Sequence, residues 1–234
     1  MVARVIVEYN SDGCLVQAEN YPGAFTRGKT PEEALAKMPA ELEQYLRWTG
    51  GGPGPRAVQV VLRVECPLEV ADADSEVIFA GETLPFSRQE YEELKGLALK
   101  AAADFQALYD SIPDKDRPRR PPRKTFYGQV PQSAREMYEH TKNVNRYYFG
   151  EIGVEVGNGP DILTCRQEGF RRAERIPGFL ANPVKVGSFG ESWSLKKVCR
   201  RFIWHDRIHG KALYKMAQEL WGPEGSANPF CFSL

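Results

Sequence analysis

Hydrophobic and polar positions alternate in two styles along the chain. Residues 2–9, VARVIVEY, are β-branched and aromatic, which predicts a strand. Asn10-Ser11-Asp12-Gly13 is a turn and CLVQAE resumes the extended pattern, so the two form a hairpin. Tyr21-Pro22-Gly23 breaks it, and AFTRG supplies a third short strand. Thr30-Pro31-Glu32-Glu33 then opens a helix, with Thr as N-cap, Pro at the first helical position and Glu at the third. That helix runs through ALAKMPAELEQYLRW, with Pro39 an irregularity inside it. GGGPGP at 50–55 interrupts the chain before a further strand, AVQVVLRVECPLEV. The order β-β-β-α-β predicts an α+β domain over residues 1–70, and ADADSEVIFAGETLP at 71–85 reads as an acidic, turn-prone linker.

Beyond residue 86 the period changes to that of helices. Ser87-Arg88-Gln89-Glu90 is a capping box, followed by the apolar stripe Leu94, Ala98, Ala101, Phe105, Leu108 and Ile112. Prolines end that helix in the basic run DKDRPRRPPRKTF. Ser133-Ala134-Arg135-Glu136 starts another helix, SAREMYEHTKNVNRYYF. After the Gly-rich EIGVEVGNGP comes DILTCRQEGFRRAERI, whose stripe is less regular, and then a long loop, PGFLANPVKVGSFGES, of the kind that often forms a lid or binding edge. The last helix spans Trp193 to Trp221, with Leu195, Val198, Phe202, His205, His209, Ala212, Met216 and Leu220 on one stripe. Phe230 and Phe232 in the tail are expected to dock on these helices. Four helices in this order predict an all-α four-helix bundle over residues 86–234.

Two of the three histidines, His205 and His209, lie four residues apart on the last stripe, so their rings leave the same helix face one turn from each other. His140 lies between Met137 and Val144 on the stripe of its own helix. A lone buried histidine is more often a hydrogen-bonded core residue than a ligand. Burying three without a shared partner, however, costs about 1–3 kcal/mol for each unsatisfied group. A metal held by His140, His205 and His209 meets that cost. Imidazole nitrogen suits zinc, nickel or iron(II) rather than magnesium or calcium, and three protein ligands leave a position open for water or substrate.

Composition narrows the classes. In 234 residues, 31 basic and 31 acidic side chains cancel, so no global attraction draws the chain to nucleic acid or an anionic membrane. The run at 115–124 lacks interleaved aromatic residues and reads as a solvated loop, which argues against nucleic acid. Five dispersed cysteines without Cys-x-x-Cys spacing, and no recognisable secretory segment, point to reduced thiols in a cytoplasmic protein. No apolar run approaches the ~18 residues of a membrane span.

The segment SWSLKKVCRRFIWHDRIHGKAL, with its Trp-Ser start, paired arginines and His-x-x-x-His, resembles the last helix of the DinB-like (DinB/YfiT) metal-binding proteins. The resemblance extends from about Glu76 to Trp221. It implies that His140, within REMYEHTKNVNRYYFGEIG, joins His205 and His209 on a divalent metal. It also implies a small-molecule substrate, a thiol among the candidates, since the family includes thiol-dependent S-transferases and isomerases; such proteins often pair as homodimers. The run YNSDGCLVQAENYPGAFTRGKTPEEAL resembles the HicB-like antitoxin fold and implies a protein partner. The DNA-binding segment usual in those antitoxins has no counterpart here. The acids of this domain (Glu8, Asp12 and Glu19) read as solvated.

Other polar residues near the histidines have two readings each. Asp206 and Glu139 adjoin histidines in sequence but project about 100° away on a helix. Arg201, one turn before His205, either contacts an anionic substrate or extends to solvent. Cys199 is expected in the core, while Tyr138, Tyr147 and Tyr148 line a pocket or pack between helices. The function expected is a metal-dependent enzyme of S-transferase or hydrolase type carrying an interaction domain. The alternative is a non-enzymatic partner-binding module, toxin–antitoxin-like or stress-response, in which the helices are structural or sense a metal.

Overall fold

The computed structural model describes residues 1–72, 74–119, 123–125 and 128–233. Ala73 of the linker, Arg120, Pro121, Pro122 and Phe126 of the basic loop, and Leu234 lie outside the described residues, as does Tyr127. The chain divides into two compact units, Met1–Val77 with Phe230–Ser233, and Ile78–Pro229.

In the first unit a four-stranded sheet is built from β1 (Val2–Tyr9), β2 (Cys14–Ala18), β3 (Phe25–Gly28) and β4 (Ala57–Glu65), in the order β3-β2-β1-β4. β1–β2 and β2–β3 are antiparallel hairpin pairs, whereas β4 lies parallel to β1. A strand parallel to β1 on its far side needs a crossover, which α1 (Pro31–Thr49) supplies between β3 and β4. Thr30 caps α1 by accepting from Glu33 N, and Gly50 ends it in the left-handed conformation at φ 69°. Pro39 sits inside the helix without ending it.

Flanked on both sides, β1 is buried over Val5–Glu8, whereas the outer strand β4 is at most half-buried. Glu8 departs from the solvated role its type predicts. It is fully buried, and its Oε1 accepts from Gln17 Nε2 at 3.1 Å and Ser75 Oγ at 2.7 Å. The tail also differs from expectation. Phe230 packs on Trp48 of α1 with ring centroids 5.4 Å apart, and Ser233 N donates to Gln44 Oε1, so the two aromatic residues belong to the first unit.

The second unit holds α2 (Arg88–Ser111), α3 (Ala134–Glu151), α4 (Ile162–Ala173) and α5 (Leu195–Trp221). α5 packs on α2 and α3, and α4 on α2 and α3. The expectation of an all-α four-helix bundle is overturned. With α1 the described residues form five α-helices, and two short antiparallel ribbons join the helices of this unit: β5 (Lys124–Thr125) with β6 (Gly128–Gln129), and β7 (Lys185–Val186) with β8 (Ser192–Trp193). The protein is mixed α/β. The physical cause lies in the loops, whose backbone groups need partners wherever they lie against the helices. The segment 185–193 finds them in itself: it turns at Gly190 (φ 82°), Gly187 N donates to Glu191 O at 2.8 Å, and the flanks pair as β7 and β8.

Candidate metal centre

Ser133 and Ser194 fix the starts of the two helices that carry the histidines. Ser133 Oγ accepts from Glu136 N, and Ser194 Oγ accepts from Lys197 N while donating to Glu82 O. From Leu195 through Arg207 every residue of α5 is buried. Beyond His209 the buried line shifts to Leu213, Met216 and Ala217, leaving Ala212 exposed. A helix enclosed on all sides along its first half must find partners for its charged side chains. Lys196 Nζ reaches Glu90 at 2.8 Å, Arg200 pairs with Glu82, and Lys197 Nζ lies 3.2 Å from Glu191.

His140, His205 and His209 meet between α3 and α5. One nitrogen from each lies within 4.8 Å of the others. Nε2 of His140 and Nε2 of His209 are 3.2 Å apart, and the ring of His205 lies 4.3 Å from that of His209 and 5.4 Å from that of His140, centroid to centroid. Two imidazoles bound to one tetrahedral ion at about 2.0–2.1 Å would have their nitrogens roughly 3.3 Å apart. The His140–His209 spacing therefore already suits a shared ion, and a modest ring rotation brings in the third. His205 is buried, whereas the other two are half-exposed. Its Nδ1 is buried and has no hydrogen-bond partner.

Electrostatics favour neutral imidazoles here. Burial lowers the pKa of His140 from its ordinary 6.5. His205 is held well below that value, first by burial and then by the charges that His209, His140, Arg201 and Arg166 would place beside its own. Neutral imidazole is the form that binds a metal. The donor set therefore fits a divalent ion.

Asp206 turns away from the histidines. It takes both terminal nitrogens of Arg166 from α4, at 2.9 and 3.3 Å, and both side chains are fully buried. Burial pushes its carboxyl up to about 6 while Arg166 works in the opposite direction. Nothing in the irregular stripe of α4 marks Arg166 as important; only an arginine on a helix facing an interior aspartate hints at it. Glu139 is exposed and bridges to Lys142 at 2.8 Å. Tyr138 is structural: it donates to Gln106 Oε1 at 2.6 Å, accepts from Ile162 N and stacks on Tyr109. Tyr148 has its ring 5.9 Å from that of His205 and walls the site. Tyr147 is half-buried and meets Trp193 edge-on. Cys199 is fully buried in the core, where burial raises its thiol pKa, so it is no nucleophile. Arg201 does not extend to solvent: it is 6% exposed.

Compared with family models, curated proteins and solved structures, the chain matches none of them. The likenesses to DinB-like and HicB-like proteins accordingly rest on the motifs quoted above. No described helix is long and apolar enough to cross a membrane.

Proposed function

We propose that His140, His205 and His209 hold a divalent transition metal, zinc, nickel or iron(II), and that the protein is a metal-dependent enzyme acting on a small molecule by S-transfer or hydrolysis. The observation that carries this reading is the approach of three histidine nitrogens, from two helices, to within 4.8 Å of one another. The likeness to DinB-like proteins at the same three positions supports it. A divalent ion so held supplies Lewis acidity, enough to bring a water to a pKa near about 7 or to keep a thiol as thiolate. The chain's own part is to keep His140 and His205 neutral by burial, to exclude water from the His205 side, and to leave the half-exposed His140 and His209 side open to a ligand.

Elemental analysis of tag-free, full-length protein tests the reading: it is expected to carry about one divalent metal per chain. His205→Ala and His209→Ala are each expected to lower metal affinity by more than about 100-fold, with helical circular dichroism unchanged. A wild-type protein that takes up no metal at any stage ends the reading.

A second reading, partner binding through the first unit, draws on β4. It is an outer strand with Leu62 41% exposed and no protecting lysine or proline within it, a suitable edge for an added strand. Leu62→Arg is expected to abolish a complex with a toxin-like protein, or a homodimer, measured by light scattering. Undiminished mass removes this reading.

A further inference from the structure

The second unit has a small apolar pocket where α3 ends and α5 begins. Ile152, Val154, Ile176, Phe179 and Leu195 are among its walls. It holds about 50 Å³, room for roughly four water molecules. Along the two helices, Ile152 and Leu195 lie about 15–18 Å from His140 and His205, so the pocket is separate from the histidine cluster. One wall residue, Ile176, is 42% exposed, so solvent reaches the pocket. A hollow lined by alkyl and aromatic groups leaves their atoms short of dispersion contacts on one side.

Among the lining side chains, only Lys185 of β7 is charged or able to donate a hydrogen bond. Its Nζ donates to Ile152 O at 2.7 Å, which uses one of three N–H bonds and leaves two. Gly153, with φ 76°, allows that position, because a Cβ there would come within 2.8 Å of Nζ. The ammonium is thus held against the turn that ends α3, beside the wall formed by Ile152. A second cation, Arg88, has its guanidinium carbon 5.2 Å from the ring centre of Phe179, another wall residue. The carboxylates next to wall residues in sequence are committed elsewhere. Glu174 takes Lys95 and Tyr91, and Glu151 takes the backbone N–H and hydroxyl of Ser188.

We infer that this pocket binds a short aliphatic carboxylate of about four to six carbons, its chain between the apolar walls and its head group on Lys185. Apolar walls with a single polar group that sets orientation are the composition of a small-molecule site. The alkyl chain supplies the contacts that the hollow lacks, and the carboxylate gives the remaining ammonium N–H groups a charge-assisted partner. An amine would meet like charge from Lys185 and Arg88, and an amide would lose the charge on the acceptor. The inference is independent of the metal reading, since the pocket and the histidines occupy separate stretches of α3 and α5.

The test titrates methyl-labelled, full-length protein with hexanoate and with hexanamide, read by methyl NMR. Hexanoate is expected to shift the Ile152, Val154, Ile176 and Leu195 methyls together and to bind about 3-fold to 10-fold more tightly than the amide. In Lys185→Met, which keeps a linear stem, that ratio should fall toward one while the amide still binds. Ala173→Leu fills the pocket from its wall and should weaken both ligands by at least about 10-fold. The wild-type titrations need no variant to fold and decide the inference by themselves. Pocket methyls unmoved at about 20 mM hexanoate, equal binding of acid and amide by the wild type, or a preference that survives in Lys185→Met overturns it.

Discussion

Two buried polar assemblies meet at neighbouring positions of α5 and have opposite character. Asp206 is closed: both of its oxygens take hydrogen bonds from Arg166, and opposite charges meet. His205 is open: it has other imidazoles for neighbours, and its Nδ1 has no hydrogen-bond partner. That ion pair holds α4 to α5 with both carboxylate oxygens engaged. The histidines bring three like groups together with no opposite charge among them, an arrangement compatible with a metal site. The 100° step between consecutive helical residues is what lets one helix carry both.

The sharpest way to break this comparison is to remove one member of each assembly. Asp206→Ala strands the Arg166 charge in the interior and is expected to cost about 3–5 kcal/mol in chemical denaturation of the metal-free protein. His205→Leu removes an unpartnered polar atom and is expected to change that stability by less than about 1 kcal/mol. Equal losses would make the histidines part of the same structural core.

Next in size is the response to metal. A divalent ion at about a hundred times its dissociation constant should add about 2.7 kcal/mol to the wild type's unfolding free energy, reversed by a chelator. His205→Leu should lose this gain. Arg166→Met combined with Asp206→Leu, if folded, should keep it.

Acidification should pull the two assemblies in opposite directions. In metal-free protein His140 and His205 are held below 6.5 by burial. The unfolded chain then binds protons that the folded chain refuses, so their contribution to stability falls as pH drops below about 6.5. Asp206 is lifted by burial from 3.8 to about 6, so the folded chain takes up that proton first. Its contribution rises as pH falls through that window. Denaturation midpoints across the range are expected to decline more steeply with acid in Asp206→Asn and less steeply in His205→Leu.

The smallest expected effect is at Glu139, which adjoins His140 in sequence alone. Glu139→Gln should change stability by less than about 0.5 kcal/mol and leave metal content untouched, because it removes only an exposed pair with Lys142.

Local chemistry was legible wherever a signal and its effect lie within a few residues. The caps read at Thr30, Ser87 and Ser133 each accept the backbone hydrogen bond that opens a helix. The spacing of His205 and His209 brings their rings to 4.3 Å. Residue type alone misled for Glu8, which became buried because Gln17 and the distant Ser75 satisfy one of its oxygens. It misled again for the second unit, where the loops paired into ribbons that hydrophobic periodicity does not register.

By itself, then, the sequence determined where helices begin and which side chains share a face, because those depend on rotation about one chain's own axis. Only the tertiary structure decided that His140 reaches His209, that Arg166 answers Asp206, and that Arg201 is enclosed by rings rather than water. His140 and His209 stand 69 positions apart in the chain, Arg166 and Asp206 stand 40 apart, and the Tyr148 ring reaches Arg201 from another helix. These approaches are set by how whole helices pack, a sum over many weak contacts that no local spacing encodes.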